Sequence, residues 1–162
     1  LREGLDDSKV LPRRRREYLF AVLENTAAVD FGIGLASVEE IDRHNILQAT
    51  MLAMARAVKA LPHLPEFSLI DGNRAPALLC PCRCIVGGDG RSLSIAAASI
   101  IAKVTRDRMM AELDATHPGY GWSHNAGYGT PEHRRALESL GVTQHHRRSF
   151  APIHNILRLG NA

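Results

Sequence analysis

The 162-residue sequence has no apolar run near the roughly 20 residues that a membrane-spanning helix needs, so no such span is expected. Residues 1–8 lack the apolar core of a secretory signal. Methionine is missing from the first position, and the expectation is a chain that is incomplete at its N-terminus. Cysteine occurs only at Cys80, Cys82 and Cys84. An odd, clustered set argues against a disulfide framework, and alternate positions on one strand face are too collinear to wrap a tetrahedral zinc. These cysteines are expected to pack as small hydrophobes in a reducing cytoplasm. Lysine is scarce, three residues against 17 arginines, and at net charge +3 the bulk charge says little about a nucleic-acid partner. Repeats, low-complexity tracts and linker-like stretches are lacking as well, which leaves one domain over residues 1–162. Hydrophobic residues at 45% and charged residues at 23% are ordinary for a soluble globular domain with a real core.

What is present is a layered order of elements. Residues 4–12 read as a polar loop. The spacing predicts a helix from Arg13 to about Asn25, with Tyr18, Leu19, Val22 and Leu23 on one side. Arg13, Arg14, Arg15 and Arg16 crowd its first turn, where cations oppose the helix dipole. A solvated helix start and a phosphate-binding surface both fit that run. Val29 to Ala36 reads as a strand, with Gly32 and Gly34 marking close backbone approach. Ser37 and Glu40 form a capping box for a helix whose Leu47, Met51, Met54, Val58 and Leu61 make a core stripe. Pro62 and Pro65 end it, and two short strands follow. A long helix runs from Ser92 to about His117, with Lys103 and Asp107 at ion-pair spacing. After Pro118 comes a glycine-rich loop, residues 119–130, and then a helix framed by Thr130, Pro131 and Gly141. A basic stretch at 145–150 leads into a short apolar helix. This order indicates an α/β layered domain. Three visible strands make a thin sheet for so much helix, which points to strands missing upstream.

The two short strands carry the chemistry. Each is an apolar run that stops at an aspartate followed by glycine, Asp71-Gly72 and Asp89-Gly90. Buried strands read this way when they deliver carboxylates to the rim of a sheet. Side by side, Asp71 and Asp89 repel unless a cation lies between them. Asp-Gly is also a favoured turn dipeptide, and plain turn residues fit equally well. Tyr128, between Gly127 and Gly129, forms a second constellation: an exposed ring able to stack on a sugar or base, or simply part of a turn. Taken together, carboxylates at strand ends, a stacking loop and scattered arginines point to metal-assisted phosphodiester chemistry with two divalent cations about 4 Å apart.

The chain resembles the type 2 ribonucleases H, the ribonuclease HII family. The likeness covers nearly the whole chain and rests on Gly-Leu-Asp-Asp-Ser-Lys at 4–9, Ile-Asp-Arg-His-Asn-Ile-Leu-Gln-Ala-Thr at 41–50 and Ile-Asp-Gly-Asn-Arg at 70–74. Further matches lie at 94–108, at Asn-Ala-Gly-Tyr-Gly-Thr (125–130) and at His-His-Arg-Arg-Ser-Phe (145–150). The resemblance implies an RNase H-like α/β fold: a central mixed sheet flanked by helices, with the first two strands missing and a helical C-terminal region. It implies an endoribonuclease that hydrolyses the RNA strand of RNA–DNA hybrids and incises DNA at single embedded ribonucleotides, using Mn²⁺ or Mg²⁺. Under it, Asp71 and Asp89 are catalytic, metal-binding carboxylates and Tyr128 stacks on the sugar at the RNA–DNA junction. Ser8 and Lys9 hold backbone phosphate, and Asn73, Arg74, Arg147 and Arg148 lie in blocks that contact nucleic acid. A cytoplasmic monomer without a membrane partner is expected.

Two departures stand out. The family usually has Lys-Gly-Asp where this chain has Gly87-Gly88-Asp89. It also opens on a strand whose adjacent Asp-Glu pair supplies two of four metal-site carboxylates, and no Asp-Glu dipeptide occurs here. The alternative reading is therefore a catalytically inactive, truncated remnant that binds nucleic acid.

Overall fold

The computed structural model describes residues 10–159. Contacts divide the chain into two compact units: the chain up to Leu35 with Thr50–Thr105, and Ala36–Ala49 with the chain from Arg106 onward. Among the described residues, no helix is long and apolar enough to cross a membrane.

In the first unit, helix α1 (Arg13–Glu24) buries Leu19, Phe20 and Leu23. These three pack on Ile100, Ile101 and Val104 of α3 (Leu93–Thr116), and Leu11, Val29, Phe31 and Ala97 close the cluster. Phe20 meets Phe31 edge to face at 6.2 Å. The expected buried face is one residue off, since Tyr18 is exposed and Phe20 takes its place. Phe20 is three residues from Leu23 and adjacent to Leu19, so it shares their side of the helix just as well.

Residues 29–36 form no strand. They run without regular secondary structure beside helix α2 (Val38–Lys59), and the close backbone approach marked by the glycines is an approach to that helix. A Cβ on Gly32 would collide with the Ala57 carbonyl, and one on Gly34 with the Ala53 carbonyl. Arg56 Nη1 donates to the Leu35 carbonyl at 2.7 Å, so the segment's polar backbone is met in part by the helix. The expected mixed sheet is, among the described residues, a parallel pair: β1 (Ser68–Asp71) and β2 (Cys82–Ile85), with Ser68 opposite Cys82 and Asp71 opposite Ile85. All three cysteines are free; Cys80 is buried with its Sγ 3.1 Å from Ser68 Oγ.

Helix α2 starts with the expected capping box: Ser37 N donates to Glu40 Oε2 at 2.9 Å, and Glu40 N to Ser37 Oγ at 3.2 Å. It then breaks at Asn45, which has φ 69° and ψ 163°. The Asn45 side chain turns the break into a second start, accepting from the amides of Leu47 (3.0 Å) and Gln48 (3.1 Å). The expected core stripe is only half-buried. Leu47 is exposed, and Ala49 is the helix's one buried residue.

The second unit is built on Tyr120 and Trp122, whose rings stack at 4.8 Å. Ala136 and Leu137 of α5 (Pro131–Leu140) and Ile153 of α6 (Ala151–Leu159) pack around them, with Met110 and Leu113 from the last turns of α3. Thr130 caps α5 by accepting from His133 N at 3.2 Å, and Gly141 ends it at φ 81°. Within the expected loop lies a single helical turn, α4 (Trp122–Asn125). Asp114 holds it, accepting from Trp122 N at 2.8 Å and from Ser123 Oγ at 2.6 Å. The Ser123 hydroxyl, against opposing desolvation, keeps the Asp114 carboxyl below its usual range, and the two backbone amides and nearby His124 add to this.

Candidate active site

Strand β1 ends on Asp71, as the sequence predicts, with the carboxylate at the exposed rim. Strand β2 stops earlier than expected, at Ile85. Asp89 sits instead in a single 3-10 turn, Gly88–Gly90, reached through Val86 and Gly87. The reason is steric and local. Gly87 adopts the left-handed conformation (φ 63°), which ends the strand, and the turn brings the Gly88 amide back onto Asp71. Gly88 N donates to Asp71 Oδ1 at 2.9 Å. A Cβ on Gly88 would lie 3.4 Å from Asp71 Oδ1 and collide with Ile95 Cδ1, so a larger residue there must displace the Ile95 side chain. One hydrogen bond thus ties the Asp71 side chain to the residue before Asp89. Asp89 Oδ1 in turn accepts from Gly90 N at 3.0 Å. Asn73 and Arg74 follow Asp71 in the exposed, non-helical connection to β2.

Tyr128 lies in the other unit and is 67% exposed. Its loop is rigidly held. Asn125, buried, donates from Nδ2 to Tyr120 O (2.7 Å) and accepts Gly127 N on Oδ1 (2.8 Å). Gly127 has φ 78° and faces Met110, whereas a Cβ on Gly129 would meet open space. On either side of Tyr128, arginines bind the backbone: Arg106 Nη2 donates to Ala126 O at 3.0 Å and Arg134 Nε to Gly129 O at 3.1 Å. An exposed ring on a braced loop can stack without paying for its own ordering.

Arg147 and Arg148 belong to the same unit as Tyr128. The Arg147 guanidinium lies over the Phe150 ring at 5.0 Å. Asp42 holds the turn, accepting Arg148 N (2.9 Å), Ser149 N (3.0 Å) and Ser149 Oγ. Burial pushes the Asp42 carboxyl up, but the Ser149 and Arg148 hydrogen bonds and the Arg147 charge outweigh it, and the net shift is downward. Ser8 and Lys9 lie outside the described residues.

The sequence profile of ribonuclease HII matches residues 1–153. The chain is 62% identical over 153 residues to the ribonuclease HII of Paramagnetospirillum magneticum, covering 94% of this chain and 75% of that protein. The chain belongs to the ribonuclease HII family. Its identity to the ribonuclease HII of Cereibacter sphaeroides is 61% over 156 residues, 96% of this chain and 73% of the relative. The fold matches the crystal structure of the ribonuclease H2 from Pyrococcus horikoshii OT3 with a TM-score of 0.83, over 98% of this chain and 82% of that one, at 23% identity.

For this ribonuclease HII chain, sequence reasoning missed three kinds of supporting residue. Asp42 binds backbone 106 residues away and Arg106 backbone 20 residues away, while Arg134 reaches back five residues; Asp42 and Arg106 lie within stretches that carry the family likeness. Asp71 and Asp89 are oxygen ligands of the type that hard divalent cations take. With Oδ1 bound to an amide, Asp71 keeps Oδ2 for such a cation. Among the described residues, no group of three or more His, Cys, Asp or Glu side chains gathers to hold a metal.

Proposed function

We propose that this chain is a ribonuclease H endonuclease that hydrolyses the RNA strand of RNA–DNA hybrids and incises DNA at single embedded ribonucleotides. Asp71 and Asp89 are its metal-binding carboxylates, with Mg²⁺ or Mn²⁺ as the ion. The observation that carries this reading is the Asp71 Oδ1 to Gly88 N bond, which ties the two carboxylate-bearing segments together at a sheet rim. A divalent ion bound there supplies an activated water and charge stabilisation for the leaving oxygen. Every other role falls to side chains. Tyr128 stacks on the sugar at the RNA–DNA junction. Ser8 and Lys9 hold backbone phosphate, and Asn73, Arg74, Arg147 and Arg148 bind the strands on either side. The enzyme acts as a cytoplasmic monomer in the removal of ribonucleotides from DNA. A duplex carrying one embedded ribonucleotide, incubated with Mn²⁺ or Mg²⁺ and this chain preceded by the family's Asp-Glu strand, is nicked beside that ribonucleotide. Equal cutting of all-DNA duplex, or no cutting with either ion, would overturn the proposal.

A further inference from the structure

We infer that Arg106 and Arg134 bind the phosphates on either side of the sugar on which Tyr128 stacks, so that one loop carries both a stacking ring and a phosphate clamp. This clamp rests on the proposed role of Tyr128 and extends that site along the backbone of the same strand. Arg106 comes from α3, ahead of the loop in sequence, and Arg134 from the start of α5, behind it. Each gives one N–H to a loop carbonyl on its own side of Tyr128. Arg106 Nη2 donates to Ala126 O at 3.0 Å, and Arg134 Nε to Gly129 O at 3.1 Å. Both arginines are exposed, as is the ring between their anchors.

Bracing a loop takes one donor, and a guanidinium has several in a planar fork. Among the described residues, neither Arg106 nor Arg134 has a second protein partner, so each keeps N–H groups for an anion. Anchored through one nitrogen, the fork is already placed when a phosphate arrives, and its geometry suits two phosphate oxygens at once. The local charge agrees. Residues 118–130 include no acidic side chain. The carboxylates on either side of them are committed elsewhere: Asp114 accepts Trp122 N at 2.8 Å and Ser123 Oγ at 2.6 Å, and Glu132 meets His124 Nε2 at 2.8 Å. An anion beside Tyr128 therefore meets two guanidiniums and no opposing charge from the loop. A nucleic-acid strand offers the matching order, phosphate, sugar, phosphate. Contacts to those phosphates fix the strand's register and leave recognition of the ribose to other groups.

The test is equilibrium binding in EDTA, followed by fluorescence anisotropy across a series of salt concentrations. The probes are a DNA duplex carrying one ribonucleotide and the same duplex in all-DNA form. Arg106→Gln and Arg134→Gln each bind both probes more weakly, and each makes the plot of log affinity against log salt shallower by about 0.9, the value for one phosphate no longer neutralised. The preference for the ribonucleotide duplex stays within about twofold of wild type, because a phosphate contact is the same in both probes. Arg134→Lys lacks the Nε–H that Gly129 O accepts but keeps the charge, and it recovers the wild-type slope, which separates a phosphate contact from a brace. Arg135→Gln, the next residue on α5, controls for lost charge and keeps the wild-type slope. A wild-type slope in Arg106→Gln or Arg134→Gln, or an equal fall in Arg135→Gln, overturns the inference while leaving the nuclease reading intact. A wild-type chain that binds neither duplex overturns both.

Discussion

Asp71 Oδ1 accepts a hydrogen bond from the Gly88 amide at 2.9 Å, so the position of the turn that carries Asp89 depends on the charge and shape of a side chain 17 residues earlier. This one bond separates two roles of Asp71, as a holder of the turn and as a carboxylate. Asp71→Asn keeps an acceptor oxygen for Gly88 N and removes only the charge. Cleavage with Mn²⁺ or Mg²⁺ then falls by about a hundredfold or more, for roughly 3 kcal/mol of lost metal-site stabilisation. Duplex affinity, measured in EDTA, stays within about twofold. Near-normal turnover in this variant would return Asp71 to the rank of a turn residue.

Adjacent glycines respond in opposite ways. Gly88→Ala places a methyl against Ile95 and Asp71 and costs about 1–3 kcal/mol of stability in urea melts. Gly87→Ala meets no atom within 4 Å and costs only the left-handed backbone preference, about 1 kcal/mol. Equal losses at the two sites would contradict the close approach of Gly88 to the carboxylate.

The break in α2 depends on the Asn45 side chain. Asn45→Ala loses the cap on Leu47 and Gln48 while keeping a Cβ at positive φ, and is expected to cost about 1–2 kcal/mol. Asn45→Gly loses the same cap but relaxes the backbone, and chemical denaturation places it within a few tenths of wild type.

Tyr128 is exposed, so its truncation leaves the melting temperature unchanged to within the effect of about 0.5 kcal/mol. What changes is selectivity: Tyr128→Ala cuts less selectively at the RNA–DNA junction, read as the ratio of rates on a duplex with one ribonucleotide and on a continuous hybrid. An unchanged ratio would remove Tyr128 from the site.

His146 makes the second unit acid-sensitive. Its ring is buried against Trp122, Tyr120 and His133. Desolvation, with the nearby His133 charge, lowers its pKa from 6.5 to about 4. Since Nδ1 accepts from the Thr143 amide, the neutral ring carries its proton on Nε2, which is buried without a partner. Between about pH 6.5 and pH 4 the unfolded chain binds a proton that the folded chain refuses, so stability falls as pH falls through this window and levels off below it. The full loss is on the order of 3 kcal/mol. In His146→Phe, denaturation midpoints followed over the same range lose this part of the pH dependence.

Several local patterns were legible in the sequence. The Ser37–Glu40 capping box, the Thr130 cap with Pro131 behind it, the Gly141 stop and the strand ending on Asp71 are each set by groups within a few residues of one another. Family membership was legible for a related reason, because it resides in blocks of consecutive residues. Tertiary structure decided what depends on distant partners. Gly32 and Gly34 could mark approach to a strand or to a helix, and the nearby Ala53 and Ala57 backbone made it a helix. The cap of α4 comes from Asp114, eight residues before Trp122, and the brace on Arg148 from Asp42, 106 residues away. The aspartates at 71 and 89 were visible as candidates. That they are joined through Gly88 could only be learned from the fold, because a hydrogen bond between a strand end and a later turn leaves no mark in the spacing of either.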